Sequence, residues 1–422
     1  MKNKIRALII NVRSLYNAGD EALLYVTIKE LEKYFDIDTI TISIDFPPNK
    51  HDYKYVHSFT SWIKHKDRYS ILKLTYCLLI ICIDALFFRI KIDMSFVYPK
   101  LLQPLVNSYK SSHIIISKPG GFLYSSGKGA SLIVSLLPIF YAKLLNKPLY
   151  LLPQSIGPFN CEIEKAVVKY VLSGANLIFT REDISTDQIL EIGISSTIVK
   201  PATDMAFLYC PDMLRHDQDP LMNIGVSTNR RVLLGVTVID WSKIDIRFRG
   251  QQIYEESILA LLSWFSNELR GNVIIIPQVT GPSIKEDDRV PSERIYFEAK
   301  KRINKIYLIS NLSGVSELVY IYGQLDIFLA TRMHSAIFAW SQFIPTLAIS
   351  YQPKTLGLAK QIEMDKWVIG INEVTPSLLI SKFEELWYQR EEVKKTLINN
   401  LKHAKECAQT VMVEVKNNFA II

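Results

Sequence analysis

The chain has the length and composition of a globular protein with two ordinary domains. Its 422 residues include 49% hydrophobic and 22% charged side chains, which excludes a largely disordered protein. The net charge of +7 favours anionic partners such as phosphorylated metabolites or acidic membranes. It does not distinguish between these partners. Because the basic residues are dispersed among acidic ones and form no aromatic-basic module, a nucleic-acid-binding protein is not expected.

The cysteines and the N-terminus favour a cytoplasmic protein. The five cysteines are odd in number and widely spaced, with no CxxC pair, so neither a disulfide framework nor a zinc site is indicated. The basic N-terminus leads directly into the apolar stretch 7–10, which is too short for the core of a signal peptide. We expect a cytoplasmic protein whose contact with the cell membrane, if it has one, is peripheral and at the inner face.

In the first half of the chain, short β-branched runs alternate with amphipathic stretches of helical length. This alternation is typical of βαβ units in a parallel sheet. The predicted strands are Arg6–Ile10, Thr39–Ser43, His113–Ser117, Pro148–Leu152 and Asn176–Thr180. The predicted helices are Glu21–Tyr34, Ser131–Leu145, Glu164–Leu172 and Ser185–Ile192, the last of which ends at Gly193.

The alternation pauses and then restarts, which predicts a second domain of the same kind. The pause, Cys210–Asn229, is rich in Pro, Asp and Asn and predicts a linker. The strands predicted after it are Val232–Val238, Asn272–Ile276, Lys305–Ile309, Asp326–Leu329 and Thr346–Ser350. The predicted helices are Glu255–Leu269, Ser292–Ile303, Ser316–Tyr322, Ser335–Ser341 and a last one, Arg390–Val415, that packs back across the molecule.

The predicted organisation therefore has four parts. Residues 1–210 form an N-terminal Rossmann-like domain, and residues 211–229 form the linker. Residues 230–380 form a C-terminal Rossmann-like domain, and residues 381–422 form a helical tail.

One segment of the predicted first domain does not fit the alternation. Leu74–Ile90 is apolar except for Thr75, Asp84 and Arg89. A spanning helix needs about 20 apolar residues, and an aspartate at its centre is costly in hydrocarbon, so a single span is not expected. Two alternatives remain open: a buried helix of the first domain, and a helix with basic flanks that lies in a membrane interface.

Glycine and polar residues follow several predicted strands, at the sheet edge where open α/β proteins bind ligands. Asp20 stands in a Gly-Asp-Glu sequence at a helix start, where its carboxylate either caps the helix or serves a ligand site. Gly120 and Gly121 permit a close approach of backbone to ligand, and Lys118 beside them could meet an anion. A tight turn with a solvated lysine is the alternative for this loop.

Two further polar residues are predicted at the ends of strands in the first half. Gln154 can both donate and accept hydrogen bonds, as sugar hydroxyls require. Arg181 is suited to bind a carboxylate or a phosphate through two hydrogen bonds. A structural ion pair of Arg181 with Asp204 or Glu182 is the alternative.

The most specific candidate site follows the strand Asp326–Leu329. There Arg332 and His334 stand two positions apart at a helix start, which itself favours anions. His334 adds a proton donor or acceptor suited to neutral pH. Tyr351 and Lys354 follow the next strand, and Gln278 follows an earlier one. The acidic run 286–288 is expected to cap a helix rather than to bind a metal.

Taken in order, these motifs resemble those of the polysaccharide pyruvyl transferases, over nearly all of residues 5–360. They are N-x-G-D-E-A-L-L, P-G-G, P-Q-S-I-G-P, T-R-E-D, D-M-A-F, R-M-H-S-A-I-F-A and I-S-Y-x-P-K. The resemblance implies an α/β, GT-B-like protein with two Rossmann-like parallel-sheet domains facing across a cleft. It also implies phosphoenolpyruvate as the donor co-substrate, with residues 230–380 on the donor side and residues 1–210 on the acceptor side. The acceptor would be a sugar of a cell-surface polysaccharide, an exopolysaccharide or capsule, or of its lipid-linked precursor.

The implied reaction is the transfer of an enolpyruvyl group to form a pyruvate ketal, with no metal and no cofactor besides the co-substrate. His334 is assigned as the general acid and Asp20 as a weaker candidate that orients or deprotonates an acceptor hydroxyl. Arg332, Arg181 and Lys354 are assigned to the anionic groups of the donor. The other predicted substrate-binding residues are Tyr351, Gln154, Lys118, Gly120, Gly121 and Gln278.

Two other functions remain open on the sequence. One is a GT-B glycosyltransferase that uses a nucleotide-sugar donor in surface glycan assembly, and the other is a non-enzymatic scaffold of a glycan assembly complex. If the assignment is right, His334→Ala abolishes turnover but not folding, and Arg332→Ala chiefly weakens donor binding.

Overall fold

A computed structural model describes residues 4–48, 52–64, 69–125, 131–211, 220–226, 232–245, 247–312 and 314–421. The chain divides into two compact units. The first unit comprises Met1–Leu15, Leu23–Met205 and Cys407–Ile422, and the second comprises Tyr16–Ala22 and Ala206–Glu406.

These units differ from the predicted domain ranges in three places. The first unit gives way to the second after Met205 rather than after residue 210. The short segment Tyr16–Ala22, which contains Asp20, belongs to the second unit. The predicted tail is divided, since only Cys407–Ile422 belongs to the first unit. Of the predicted linker, residues 212–219 and 227–229 lie outside the described residues.

The first part of the chain forms the strands and helices of one parallel sheet with its covering layers. The strands are β1 (Ile5–Val12), β2 (Ile37–Ile44), β3 (Lys54–His57), β4 (Ile114–Ser117), β5 (Gly120–Leu123), β6 (Leu149–Ile156), β7 (Leu177–Thr180) and β8 (Val199–Pro201). The helices are α1 (Ala18–Tyr34), α2 (Phe59–Ile63), α3 (Ser70–Arg89), α4 (Gln103–Ser111), α5 (Ser131–Leu144), α6 (Glu162–Leu172) and α7 (Asp183–Glu191).

These eight strands pair in parallel in the order β3-β2-β1-β4-β6-β7-β8, and β5 pairs with β6. Leu8, Ile9 and Ile10 of β1 and all three isoleucines of β4 are fully buried. Continuous apolar strands of this kind are typical of a parallel sheet covered on both faces. Because the chain first builds outward from β1 to β3 and then returns to β4, the strand order reverses between β1 and β4. Open α/β sheets bind ligands at such a point.

The second part of the chain repeats this plan. The strands are β9 (Leu233–Val236), β10 (Asn272–Ile275), β11 (Ile306–Leu308), β12 (Ile327–Ala330), β13 (Thr346–Ser350) and β14 (Val368–Gly370). The helices are α8 (Pro220–Asn223), α9 (Gln251–Glu268), α10 (Arg289–Lys300), α11 (Val315–Gly323), α12 (Met333–Ser341), α13 (Pro353–Gln361) and α14 (Pro376–Phe419). Short 3-10 helices occupy Ser95–Val97, Met205–Leu208, Trp241–Lys243 and Asp365–Trp367.

The sheet of the second unit has the order β11-β10-β9-β12-β13-β14, with every pair parallel. Its strand order reverses between β9 and β12. The residues that follow these two strands are therefore the ones that a ligand site at the carboxyl edge would use. The predicted fold class, α/β with two successive parallel sheets, is confirmed.

The predicted strands and helices are all present, with small shifts of their ends in most cases. The last helix is much longer than predicted and begins at Pro376. Gly193 follows α7 with a φ of +82°, the left-handed conformation that ends a helix and that glycine adopts without strain. The elements that the sequence analysis missed are short: β3, β5, β8, β14, α2, α4, α8 and α13.

Helix α3 contains the apolar segment and is only half buried. Leu74, Cys77, Ile81, Asp84 and Ala85 are buried on one side, whereas the opposite side is exposed. The alternative of a buried helix of the first domain therefore holds for one side of α3 and not for the other. Within the described ranges, α3 is one helix whose length and composition would suffice to cross a membrane, and 28% of its apolar window is buried.

Candidate active site

Residues 16–19, at the start of α1, are held to the rest of the second unit by backbone hydrogen bonds. We call these residues the α1 loop. The Ala18 amide donates to the Gln278 carbonyl (3.2 Å), and the Thr280 amide donates to the Tyr16 carbonyl (2.8 Å). The Asn17 side chain accepts a hydrogen bond from the Gly19 amide (2.9 Å) and so caps α1. Asp20, for which the sequence left helix capping and ligand binding open, lies inside the first turn of this helix.

This anchored loop brings Gly19 against His334. A Cβ atom placed on Gly19 would lie 2.1 Å from Nδ1 of His334, so no other residue fits here without a shift. His334 is the second residue of α12 and stacks on Phe338, with ring centroids 6.3 Å apart. The imidazole is therefore confined between the loop on one side and its own helix on the other.

Arg332 stands at the N-terminus of the same helix and forms a bidentate ion pair. Its Nη2 lies 2.6 Å from Oδ1 of Asp288 and its Nε 3.1 Å from Oδ2. Asp288 is almost fully buried and also accepts the Val279 amide (3.0 Å). The expectation that the acidic run caps a helix is wrong for Asp288, whose side chain makes no capping bond to α10.

The electrostatics of this pair keep the guanidinium charged. Burial alone would lower the pKa of Arg332, but Asp288 and Tyr351 outweigh it and the pKa is raised. Burial raises the pKa of Asp288, against the lowering effect of Arg332 and of the Val279 amide. A buried carboxyl of this kind depends on its cation to stay ionised.

A network of hydroxyl groups holds the turn between β12 and α12. The Thr331 amide donates to Oγ1 of Thr237 (2.9 Å), and the Thr331 hydroxyl lies 2.8 Å from the Tyr254 hydroxyl. Ser335 donates to the Arg332 carbonyl (2.6 Å) and lies 3.2 Å from the Thr237 hydroxyl. Thr237 follows β9 and Thr331 follows β12, so the network joins the two strands at the reversal of the sheet.

The neighbouring strand supplies the two other predicted residues of this edge. Tyr351 follows β13 and packs on Trp241, with ring centroids 4.3 Å apart. Lys354 is the second residue of α13. The N-termini of α12 and α13 therefore follow adjacent parallel strands, and each offers backbone amides that favour an anion.

Two side chains near the α1 loop are held by hydrogen bonds within the second unit. Gln278 is buried and accepts a hydrogen bond from the Tyr322 hydroxyl at 3.1 Å, so its side chain is held in place. Glu21 accepts the amide of Val315, the first residue of α11, at 3.1 Å. A carboxylate at a helix N-terminus is stabilising because it complements the dipole.

In the first unit, Arg181 lies in a buried ionic cluster. Its side chain is 1% exposed, with Nη1 at 2.8 Å from Asp204 and Nε at 3.3 Å from Glu182. Its Nε also donates to the hydroxyl of Ser155 (2.7 Å). The structural ion pairs that the sequence analysis gave as the alternative to ligand binding are thus present.

The glycine loop of the first unit packs around this arginine. A Cβ on Gly121 would lie 2.9 Å from Nη2 of Arg181, so Gly121 allows the backbone to approach a protein side chain closely. Gly120 and Gly121 belong to strand β5 rather than to a turn. The alternative of a solvated lysine is wrong, because Lys118 is only 1% exposed.

Gln154 lies deeper than the sequence predicts. Strand β6 extends to Ile156, so Gln154 is part of the strand instead of the loop after it, and it is fully buried. Its Nε2 donates to the Lys118 carbonyl at 2.6 Å. The amide therefore ties β6 to the residue that follows β4.

The sequence itself identifies the family. Residues 17–353, most of the chain, match the sequence pattern described as polysaccharide pyruvyl transferase. The protein belongs to the polysaccharide pyruvyl transferase family. The matched range begins at Asn17, directly before α1, and ends at Pro353, the first residue of α13. It includes Arg332 and His334.

Known relatives agree with this family and with the fold. The amylovoran biosynthesis protein AmsJ of Erwinia amylovora is 24% identical over 322 residues, 75% of each chain. A putative UDP-N-acetylglucosamine 2-epimerase from Listeria monocytogenes has a TM-score of 0.64 at 12% identity, over 100% of this chain and 98% of that one. The trehalose 6-phosphate synthase of Burkholderia multivorans has a TM-score of 0.59 at 12% identity, over 99% of each. At such identities the likeness concerns the GT-B-like fold alone.

The predicted site residues thus fall into two groups. Those of the second unit are Asp20, Gln278, Arg332, His334, Tyr351 and Lys354, and those of the first unit are Lys118, Gly120, Gly121, Gln154 and Arg181. Sequence reasoning missed Asp288, Glu21, Thr237 and Tyr254, whose partners are distant in sequence. In the described ranges, no three His, Cys, Asp or Glu side chains lie close enough to hold a metal ion.

Proposed function

We propose that this protein transfers the enolpyruvyl group of phosphoenolpyruvate to a sugar of a cell-surface polysaccharide, or of its lipid-linked precursor, and forms a pyruvate ketal. The observation that carries the proposal is the position of His334, held by Gly19 at the N-terminus of α12 with the Arg332–Asp288 pair beside it. Family membership supplies the pyruvyl transfer. The name of AmsJ supports an exopolysaccharide as the product.

The proposed chemistry needs one proton at carbon and several positive charges. Protonation of the methylene carbon of phosphoenolpyruvate makes C2 an oxocarbenium-like centre, which two hydroxyls of one sugar attack while the C2–O bond to phosphate breaks. One of the two hydroxyl protons replaces the proton delivered to carbon, and the other leaves with inorganic phosphate. A positioned histidine suits the first proton transfer because it can donate and accept near neutral pH.

The donor has a carboxylate and a phosphate to neutralise. We assign these anions to the N-termini of α12 and α13 and to Lys354, which stands in the first turn of α13. Arg332 adds a charge that Asp288 partly offsets, since that carboxylate engages both Nε and Nη2. Tyr351, which contributes to the raised pKa of Arg332, would orient the guanidinium towards the donor.

Asp20 is the proposed partner of the acceptor. It lies in the first turn of α1, next to the glycine that touches His334. From there its carboxylate would orient or deprotonate one of the two hydroxyls that attack C2. Phosphoenolpyruvate acts as a co-substrate, no other cofactor is proposed, and the reaction is assigned to the cytoplasm.

The test is a reaction of purified protein with phosphoenolpyruvate and an acceptor oligosaccharide. We expect release of phosphate in equal amount to a new ketal methyl signal in the proton NMR spectrum of the sugar. His334→Ala should abolish both, whereas His403→Ala, at an exposed position of α14, serves as the matched control and should react like the wild type. Release of a nucleoside diphosphate from a nucleotide-sugar, with no use of phosphoenolpyruvate, would replace the proposal by a glycosyltransferase. Unchanged polysaccharide output in cells with His334→Ala would favour a scaffold.

A further inference from the structure

Helix α3 presents an apolar stripe to the outside of the first unit. Leu72, Leu79, Ile83 and Leu86 are 65%, 62%, 45% and 64% exposed. Their spacing places them on one side of an α-helix. A helix on the surface of a globular protein normally turns its apolar side to the core, and single exposed apolar residues are common, but a continuous stripe is not.

The opposite side of α3 buries one carboxylate in the protein. Asp84 is fully buried and accepts hydrogen bonds from Lys110 (2.8 Å), Tyr98 (3.3 Å) and Tyr141. The other buried residues of α3 are apolar, so the helix is apolar on both sides and Asp84 alone brings a charge to the buried side. A membrane-spanning arrangement would have to separate Asp84 from these three partners and expose a carboxylate to hydrocarbon, which is costly.

The apolar surface continues beyond the stripe. The Tyr76 hydroxyl donates to the Val97 carbonyl (2.6 Å), so the turn Ser95–Val97 lies beside the exposed side of α3. Phe96 in this turn is 70% exposed, and Ile90, directly after the helix, is 65% exposed. We call the exposed residues of α3 together with Ile90 and Phe96 the apolar face.

Positive charge surrounds the apolar face. Lys73 stands near the beginning of α3, Arg89 and Lys91 at its end, and Lys100 follows the turn Ser95–Val97. The described acids of residues 69–103 are Asp84 and Asp93, and Lys110 binds both, at 2.8 and 2.7 Å. The net charge near the apolar face is therefore positive, which complements the anionic lipids of a membrane surface.

We propose that α3 docks this protein to an anionic membrane, lying in the plane of the interface with the apolar face among the acyl chains. Asp84 and its partners remain in the protein and hold the helix to the first unit. Lys73, Arg89, Lys91 and Lys100 contact lipid headgroups. The docking needs neither substrate nor catalysis, so its test does not depend on the proposed reaction.

The test is co-sedimentation of the full chain with vesicles of phosphatidylcholine containing 30% phosphatidylglycerol, at low and high salt. We expect most of the protein in the pellet at low salt, and much less with pure phosphatidylcholine. Leu72→Gln/Leu79→Gln/Leu86→Gln should reduce the bound fraction at least ten-fold, and Arg89→Gln/Lys91→Gln should reduce it several-fold. Ile163→Gln/Tyr170→Gln, at exposed positions of α6, is the matched control and should bind like the wild type.

Circular dichroism and thermal unfolding establish that each variant is folded before binding is compared. Equal binding of the wild type and the triple variant would overturn the proposal. So would a dimeric wild type that becomes monomeric in the triple variant, because a second copy of the chain would then cover the apolar face. Resistance of the membrane-bound protein to extraction by alkaline carbonate would also overturn it, in favour of a spanning helix.

Discussion

Gly19 and His334 stand at opposite ends of the matched family region, and the absence of a side chain on one makes room for the imidazole of the other. A Cβ on Gly19 would approach Nδ1 of His334 to 2.1 Å and Cγ to 2.4 Å. The α1 loop reaches this position because it is bonded to Gln278 and Thr280 in the second unit. The Gly-Asp-Glu motif and the Arg-Met-His motif therefore lie in contact.

Gly19→Ala is expected to lower kcat about 100-fold, because the methyl group would displace the imidazole by around 1 Å from its reacting position. The measurement is phosphate release from phosphoenolpyruvate, with the melting temperature followed in parallel. Gly323→Ala is the matched control, since its Cβ would meet the flexible end of the Gln342 side chain at 3.2 Å. Full activity of Gly19→Ala would contradict the role given to this contact.

Arg332→Ala is expected to lower the free energy of unfolding by about 3–5 kcal/mol, because it leaves the buried Asp288 without its cation. It should also raise the KM for phosphoenolpyruvate. In a double-mutant cycle with Asp288→Ala, urea unfolding should give a coupling of about 2 kcal/mol. Additive effects of the two substitutions would mean that the ion pair contributes nothing to the fold.

Arg181→Met is expected to destabilise the first unit by about 3–5 kcal/mol, since Asp204 and Glu182 would remain buried without a cation. Arg247→Met, which removes an exposed pair with Asp245, should leave the free energy of unfolding close to that of the wild type. Chemical denaturation measures both. If Arg181→Met were stable and instead raised the KM for phosphoenolpyruvate, the arginine would be a donor ligand, as the sequence predicts.

Asp45→Asn is expected to stabilise the protein at pH 7 but not at pH 4. Burial raises the pKa of Asp45 to about 6 from 3.8, so the folded state holds its proton at pH values where the unfolded state has lost it. The stabilisation that this bound proton gives is complete below the pKa of Asp45 in the unfolded chain, 3.8. It is lost as the pH rises through the folded-state pKa of about 6. The neutral amide avoids this loss of roughly 1–3 kcal/mol. Urea unfolding at both pH values gives the comparison, and an equal effect at pH 4 and pH 7 would refute it.

The fold was predictable because its signal is local. Each β-branched run, such as Ile114–Ser117, is bounded by helical stretches, and this alternation suffices to predict parallel sheets. Gln154 was misplaced because the ends of a strand depend on its neighbours, and β6 continues beside β5 and β7. The exposure of α3 was not predictable, since a segment that is apolar on all sides does not show which side is buried.

The candidate site was predictable where its residues are adjacent in sequence. Arg332 and His334 are two positions apart at a helix start, and the sequence alone draws attention to them. Asp288 was assigned to helix capping because its partner, Arg332, comes from another βα unit. The contacts of Glu21 with Val315 and of Gly19 with His334 likewise exist only after the α1 loop joins the second unit.

The most direct test of the central claim is the reaction in heavy water, followed by proton NMR spectroscopy of the product. If His334 delivers a solvent-derived proton to the methylene carbon, the wild type should form a ketal whose new methyl group carries one deuterium, with one phosphate released per ketal. His334→Ala, folded as judged by its melting temperature, should form no ketal. A ketal methyl without deuterium, or wild-type turnover by His334→Ala, would contradict the account.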